Sequence, residues 1–210
     1  MPVTYPIALP FANRHTEITF QPVDIVGQNT SIFTGQQEVQ VHQGKFWTAQ
    51  IKLSRLGRAD ADQWKRFFLR LKGLEGTFLM GDPDRATPIG SASGTPGVPV
   101  VAGAGQSGDQ LMVSGLPVST TGYLKALDYF QLGTGATARL YQLYDDVDSD
   151  AGGLATLSFW PDLRTSPANL EAVTVVNAQT TWRLNEDTRK WNAERGILHT
   201  VNFPAIREAI

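Results

Sequence analysis

Apolar residues along most of this chain alternate with polar ones, and one stretch breaks that rhythm for the wider spacing of a helix. Trp64, Phe67, Phe68 and Leu71 follow the i, i+3, i+4, i+7 rule, while Lys65, Arg66, Arg70 and Lys72 fill the rest of the wheel. A helix here must bury one face. Asp60 with Gln63 three residues on reads as a capping box, and Gly73 supplies a residue able to turn left-handed at the C-terminus. Residues 74–80 follow as a strand, stopped by Gly81-Asp82-Pro83 because proline gives up a backbone donor and restricts the residue before it.

Around this helix the pattern predicts strands at residues 16–21, 31–34, 37–42 and 45–53, with Gly35 and Gln43-Gly44 as hairpin turns. The alternation in Glu38-Val39-Gln40-Val41 and in Gln50-Ile51-Lys52-Leu53 marks half-buried strands. Residues 83–109 are rich in Gly, Pro, Ser and Ala, with only 98–101 able to form a strand, which marks a boundary. A second β set runs over residues 111–176 as LMV, YLKALDYFQLG, ARLYQLY, LATLSFW and AVTVV, at the short intervals of a small barrel or sandwich. TTWRLN and ILHTVNF add two C-terminal strands, which are needed to complete the first, otherwise partial sheet. The predicted fold is therefore mainly β with one flanking α-helix: a discontinuous β-sandwich from residues 1–82 together with 178–210, and an inserted β-barrel or sandwich domain over 83–177.

Composition narrows the chemistry. The 210 residues are 41% hydrophobic and 10% aromatic, enough for real cores. With 18 basic against 20 acidic side chains the net charge is −2, so no long-range field draws the molecule onto nucleic acid or an anionic membrane. The absence of cysteine removes disulfides, thiolate metal sites and cysteine nucleophiles together, and is compatible with assembly in a reducing cytoplasm. The first residues lack a basic region followed by an apolar core, and no 18-residue apolar run occurs, so neither standard export nor membrane anchoring is expected.

Several motifs suggest chemistry and then fail on detail. Gly103, Gly105 and Gly108 fit G-x-G-x-x-G, but the following DQLMVSGL is β-leaning and broken by Gly115, whereas a dinucleotide site needs a helix there. Asp146, Asp148 and Asp150 resemble the start of a calcium loop, yet Ala151 stands where the sharp turn needs glycine and Leu157 where the bidentate glutamate belongs. His15, His42 and His199 lie in different segments without a metal-binding spacing, and no G-x-S-x-G elbow marks a serine nucleophile. Asp60/Asp62 and Asp145/Asp146 read as a cap and a turn rather than as acid and base. No catalytic, cofactor or metal residue is assigned. Tyr123, Tyr129, Tyr141, Tyr144 and Trp160 could stack on sugar rings, although aromatics on strands more often build the core.

Three segments carry a resemblance: FWTAQIKLSRLGRADADQWKRFFLRLKGLEGTFLMGDPD, LKALDYFQLGTGATARLYQLYDDVDSDAGGLATLSFWPDLR and TWRLNEDTRKWNAERGILHTVNFPAIREAI. Together they resemble the distal tail (tail hub) proteins of long-tailed bacteriophages and related prophages, over nearly the whole chain. The resemblance implies a non-enzymatic virion protein at the tail tip, assembled in the bacterial cytoplasm. It implies a homohexameric ring that joins the tail tube protein to the baseplate or other tail-tip proteins, with a β-sandwich and helix in the ring and a second β domain projecting outward. DNA would pass through the lumen without specific binding, since phosphate neutralisation by Lys and Arg is what makes such binding strong. For subunit contact the candidate is the hairpin over residues 29–42, with Ile32, Phe33, Val39 and Val41; membership of the subunit's own core is the competing reading. A carbohydrate-binding module for the host surface is the alternative function.

Overall fold

The computed structural model describes residues 3–10, 15–42, 44–53, 56–187, 191–193, 198–201 and 203–209. Its first half contains β1 (Ile7–Ala8), β2 (His15–Val23), β3 (Val26–Thr30), β4 (Gln37–Val41), β5 (Phe46–Leu53), β6 (Leu56–Gly57), helix α1 (Arg58–Leu71) and β7 (Thr77–Met80). Next come β8 (Val100–Val101), β9 (Gly108–Ser114), β10 (Tyr129–Leu132), β11 (Arg139–Leu143), β12 (Ala155–Leu163) and β13 (Val173–Thr174). The chain finishes with β14 (Thr180–Leu184), β15 (Trp191–Ala193), β16 (Leu198–Val201) and β17 (Ile206–Glu208). The protein is mainly β with one α-helix among the described residues, as the periodicity requires.

One six-stranded sheet has the order β1-β7-β14-β17-β5-β2. Its two central strands β14 and β17 come from the C-terminal part of the chain and join the pair β1-β7 to the pair β5-β2, so the sheet becomes continuous only when the chain returns. Side chains from this sheet, including Trp47, Ile51, Phe78, Met80, Trp182 and Ile206, pack with Ala61, Trp64, Phe67, Phe68 and Leu71 of α1 in one cluster. The predicted apolar face of the helix is the buried face. Phe67 meets Phe78 at 5.3 Å and Phe68 meets Phe203 at 5.1 Å, both edge to face, a geometry that adds to area burial.

The second six-stranded sheet, β13-β10-β11-β12-β9-β8, curls until its edges nearly meet. Val101 N donates to Glu171 O at 2.9 Å, Leu170 N to Val101 O at 3.0 Å and Val173 N to Pro99 O at 2.9 Å, so β8 is stitched to the segment that runs into β13. This nearly closed barrel leaves few unpaired edge groups. It encloses a cluster of its own, drawn from Ala92 to Val175, with Phe130, Tyr141 and Phe159 in mutual contact. Tyr129 and Leu140 of the same strands face the other cluster, where Trp47 Nε1 donates to Leu140 O at 3.1 Å.

Four local expectations are corrected. Helix α1 begins at Arg58 with Gly57 as N-cap, because β6 pairs with β16 and runs directly into it; Asp60 sits in the first turn, where its charge suits the helix dipole, rather than at the cap. At the other end Gly73 does turn left-handed (φ 73°), and the C-cap Lys72 before it does so as well (φ 50°). The strand expected from residue 74 starts at Thr77, since Leu74 N donates to Asp187 Oδ1 and Gly76 N to Leu71 O, which holds these residues in the turn. Residues 31–34 are a turn and not a strand: Ser31 Oγ accepts from Thr34 N and Thr34 Oγ1 from Gln36 N, the local bonding by which hydroxyl residues outcompete a ladder. Finally, β4 pairs with β3 while β5 pairs with β2, so no hairpin joins β4 to β5; Gln43 lies outside the described residues.

Candidate interaction surface

Among the described residues the β3–β4 hairpin is the least buried element of the fold. All ten of its strand residues are exposed on both faces, against an expectation of half-buried strands. Its closing turn is well made, with Ser31 N donating to Gln36 O and Gly35 N to Ser31 O, each at 2.9 Å, and Gly35 taking φ 68°. The side chains at the tip are the misplaced ones: Ile32 is 95% and Phe33 97% exposed, while Val39 and Val41 are 58% and 67% exposed. All four candidate interface residues therefore lie on one solvated arm, and none belongs to either core cluster. Ile25 and Val26 at the base of the arm are also exposed, which extends the apolar surface to the body.

The motif residues occupy structural positions. Gly108 opens strand β9 instead of a helix. Asp146 accepts from Lys125 Nζ at 2.7 Å and Ala126 N at 2.9 Å, Asp148 from Gly122 N at 2.6 Å, and Asp150 from Gly152 N and Leu154 N at 2.8 Å each. The three carboxylates thus tie down separate turns. The Lys125 hydrogen bond holds the Asp146 carboxyl below its usual value and is returned as a raised Lys125 ammonium. Among the described residues no group of three His, Cys, Asp or Glu converges as a metal site. His42 is exposed beside the arm; the side chains of His15 and His199 lie outside the described residues.

Of the five aromatics considered for sugar stacking, Tyr123, Tyr129 and Tyr141 are buried, Trp160 is half-buried with its Nε1 donating to Asp24 Oδ1 at 3.0 Å, and Tyr144 is exposed. Burial raises the phenols of Tyr123 and Tyr141 to about 12 and lifts that of Tyr129 as well, as expected of core tyrosines.

Two buried carboxylates escape a reading of the sequence alone. Asp128 is fully buried and accepts from Lys125 N at 2.8 Å, Ile89 N at 3.0 Å and Gly90 N at 3.3 Å, with Arg85 Nη1 at 3.4 Å. Glu208 accepts from Trp47 N at 3.3 Å and lies 3.0 Å from the Thr180 hydroxyl. Both are saturated by backbone and neighbouring groups, which makes them clasps and not free bases. A broad cavity of about 850 Å³ runs between β2 and residues 82–84 past Trp47 and Tyr129. A second of about 370 Å³ lies against Ile18, Ile51, Trp64 and Met80, and there the buried Trp64 Nε1 has no acceptor among the described residues.

No helix among the described residues is long and apolar enough to cross a membrane. The chain matches no protein-family model, and no curated protein matches it.

Proposed function

We propose that this chain is a structural subunit of the tail tip of a long-tailed bacteriophage. It forms a six-fold ring between the tail tube and the baseplate or tip, is assembled in the bacterial cytoplasm and is carried in the virion. The observation that carries this reading is the exposed β3–β4 arm. A lone two-stranded hairpin is marginally stable in water, and this one adds four large apolar side chains in solvent. Such an arm is explained by a partner that receives it. Burying Ile32, Phe33, Val39 and Val41 would contribute about 1.5–3 kcal/mol each, which for all four only rivals the roughly 4–15 kcal/mol cost of association. One contact of this kind is weak. A closed ring in which every subunit both gives and receives an arm multiplies it, and such rings use two different surfaces per copy.

In this reading residues 1–82 with 178–210 form the ring body as a β-sandwich, and 83–177 project from it. The ring lets DNA pass without gripping it, in keeping with a net charge of −2. No residue is assigned a catalytic role. The carbohydrate-binding alternative loses support from the burial of Tyr123, Tyr129 and Tyr141, which leaves no broad aromatic platform among the five. A symmetry-resolved reconstruction of a tail tip from particles encoding this chain tests the proposal. Six copies around the tail axis are expected, with Ile32 and Phe33 against a neighbour; absence of the chain from particles, or its presence without ring symmetry, refutes it.

A further inference from the structure

The barrel carries a second feature that ring assembly does not use. The turn between β10 and β11 and the loop after β12 border a cleft of about 230 Å³, lined by Arg139, Tyr141, Arg164, Ser166 and Glu171 among others. Its two guanidiniums have few hydrogen-bond acceptors in the protein. Arg164 Nη2 donates to the carbonyl of Lys45 and stands 3.8 Å from Glu208 Oε2, a loose ion pair with a carboxylate that also serves Trp47 and Thr180. The other nitrogen, Nη1, is buried without an acceptor among the described residues. Arg139 Nη1 donates only to the neighbouring carbonyl of Ala138, at 3.2 Å.

Glu171 lines the same cleft and each of its oxygens accepts one backbone N–H, Oε1 from Gly133 at 3.1 Å and Oε2 from Ala168 at 3.0 Å, which turns the carboxylate toward its own loop. The Tyr141 ring is stacked on Phe130 at 5.1 Å, and the residue lines the cleft. Burial, ahead of nearby Glu208, keeps that phenol protonated to about pH 12, so it serves as a donor. Burial also lowers the Arg164 guanidinium, with Arg139 adding to the effect, yet a guanidinium stays charged at neutral pH. The cleft thus offers two guanidiniums with unused N–H donors and the Tyr141 hydroxyl, against one lining carboxylate, Glu171, with Glu208 behind Arg164.

We propose that this cleft binds a small oxyanion, a phosphate or carboxylate group, held between the guanidiniums of Arg139 and Arg164 with the Tyr141 hydroxyl as a further donor. Planar guanidinium forks match both kinds of group. At about 30 Å³ per water, the volume holds one such group with residual hydration and excludes a large ligand. The site recognises the anionic end of a larger molecule or a free ion by the same contacts.

The test is an amide NMR titration of the full chain with inorganic phosphate and, separately, with acetate, at constant ionic strength balanced by sodium chloride. Saturable shifts are expected at Gly133, Arg139 and residues 164–166. Response to phosphate alone identifies a tetrahedral anion site, response to acetate alone a carboxylate site, and either or both sustain the proposal. Arg139→Gln, at a half-buried side chain with one local hydrogen bond, should keep the fold and weaken binding at least about tenfold, as loss of a charged hydrogen bond implies. Tyr141→Phe should weaken it a few-fold. Arg139→Lys, which keeps the charge and loses the fork, serves if the glutamine variant misfolds, and should also bind more weakly. Shifts that never saturate, that chloride reproduces, or that survive Arg139→Gln unchanged overturn the proposal.

Discussion

Single side chains explain why α1 sits where it does. Phe68 is wholly buried among Trp64, Phe67 and Phe203, whereas the adjacent Leu69 is exposed on the opposite face. Phe68→Ala should therefore cost about 3–5 kcal/mol in denaturant unfolding, the range for large-to-small changes in a core. Leu69→Ala should stay within about 0.5 kcal/mol. Equal effects at the two positions would mean that the helix presents another face to the sheet. The tyrosines set the alkaline limit. Tyr123 and Tyr141 titrate at about 12 in the fold against 10.0 for the free phenol, and Tyr129 is raised too. Between those values the unfolded chain releases protons that the native state keeps, so stability falls as pH rises. Their contribution is intact below about pH 10 and is lost through about pH 12, and phenolate absorbance should grow in step with loss of near-UV dichroism. Phenolates forming in a still-native protein would contradict the burial that raises them.

At the scale of elements, the β3–β4 arm separates folding from assembly. Because Ile32 and Phe33 touch neither core, Ile32→Ser with Phe33→Ser should leave thermal stability of the isolated chain within about 0.5 kcal/mol of the parent and abolish incorporation into rings. A large loss of stability with assembly intact would return the arm to the subunit's own fold. The same arm marks the limit of what the sequence discloses. Periodicity identified α1 because Trp64, Phe67, Phe68 and Leu71 repeat on one face, and it located β5 and β14 because their apolar residues alternate into a core. Alternation in β4 is just as regular, yet Val39 and Val41 meet solvent, since a pattern states which face is apolar and not what covers it. Partner choice was likewise hidden: β5 pairs with β2 across the inserted arm and β17 joins β14 to β5 from the far end of the chain. The Arg139–Arg164 cleft unites a residue of β11 with one just past the end of β12, with no local signature. Asp128 looked like part of a strand run, and only the fold brings the amides of Ile89 and Gly90 to it.

For the molecule as a whole, the proposal that residues 83–177 are an inserted domain has a definite physical form. The chain leaves the first sheet at the end of β7 and rejoins it at β14, and these strands pair antiparallel with Met80 opposite Thr180. Exit and return are thus adjacent, so a short Gly/Ser linker in place of residues 83–177 converts β7 and β14 into an ordinary hairpin. The two halves differ in how self-sufficient they are. The cluster centred on Phe130, Tyr141 and Phe159 draws every buried member from 92–175, whereas the other borrows Tyr129 and Leu140 from the insert. Deleting the insert strips Trp47 of the Leu140 carbonyl that receives its indole N–H and of the Tyr129 and Trp160 rings at 6.0 and 4.5 Å. A buried donor without its partner costs about 1–3 kcal/mol before the lost ring contacts are added. We therefore expect residues 83–177 alone to unfold cooperatively, and the linked remainder to unfold cooperatively at a lower temperature than the parent. Trp47→Phe, which removes the orphaned donor, should recover part of that loss in the remainder while destabilising the intact chain. An isolated 83–177 segment without a cooperative transition would show that its barrel depends on the first sheet, and the chain would then be one folding unit rather than a domain within a domain.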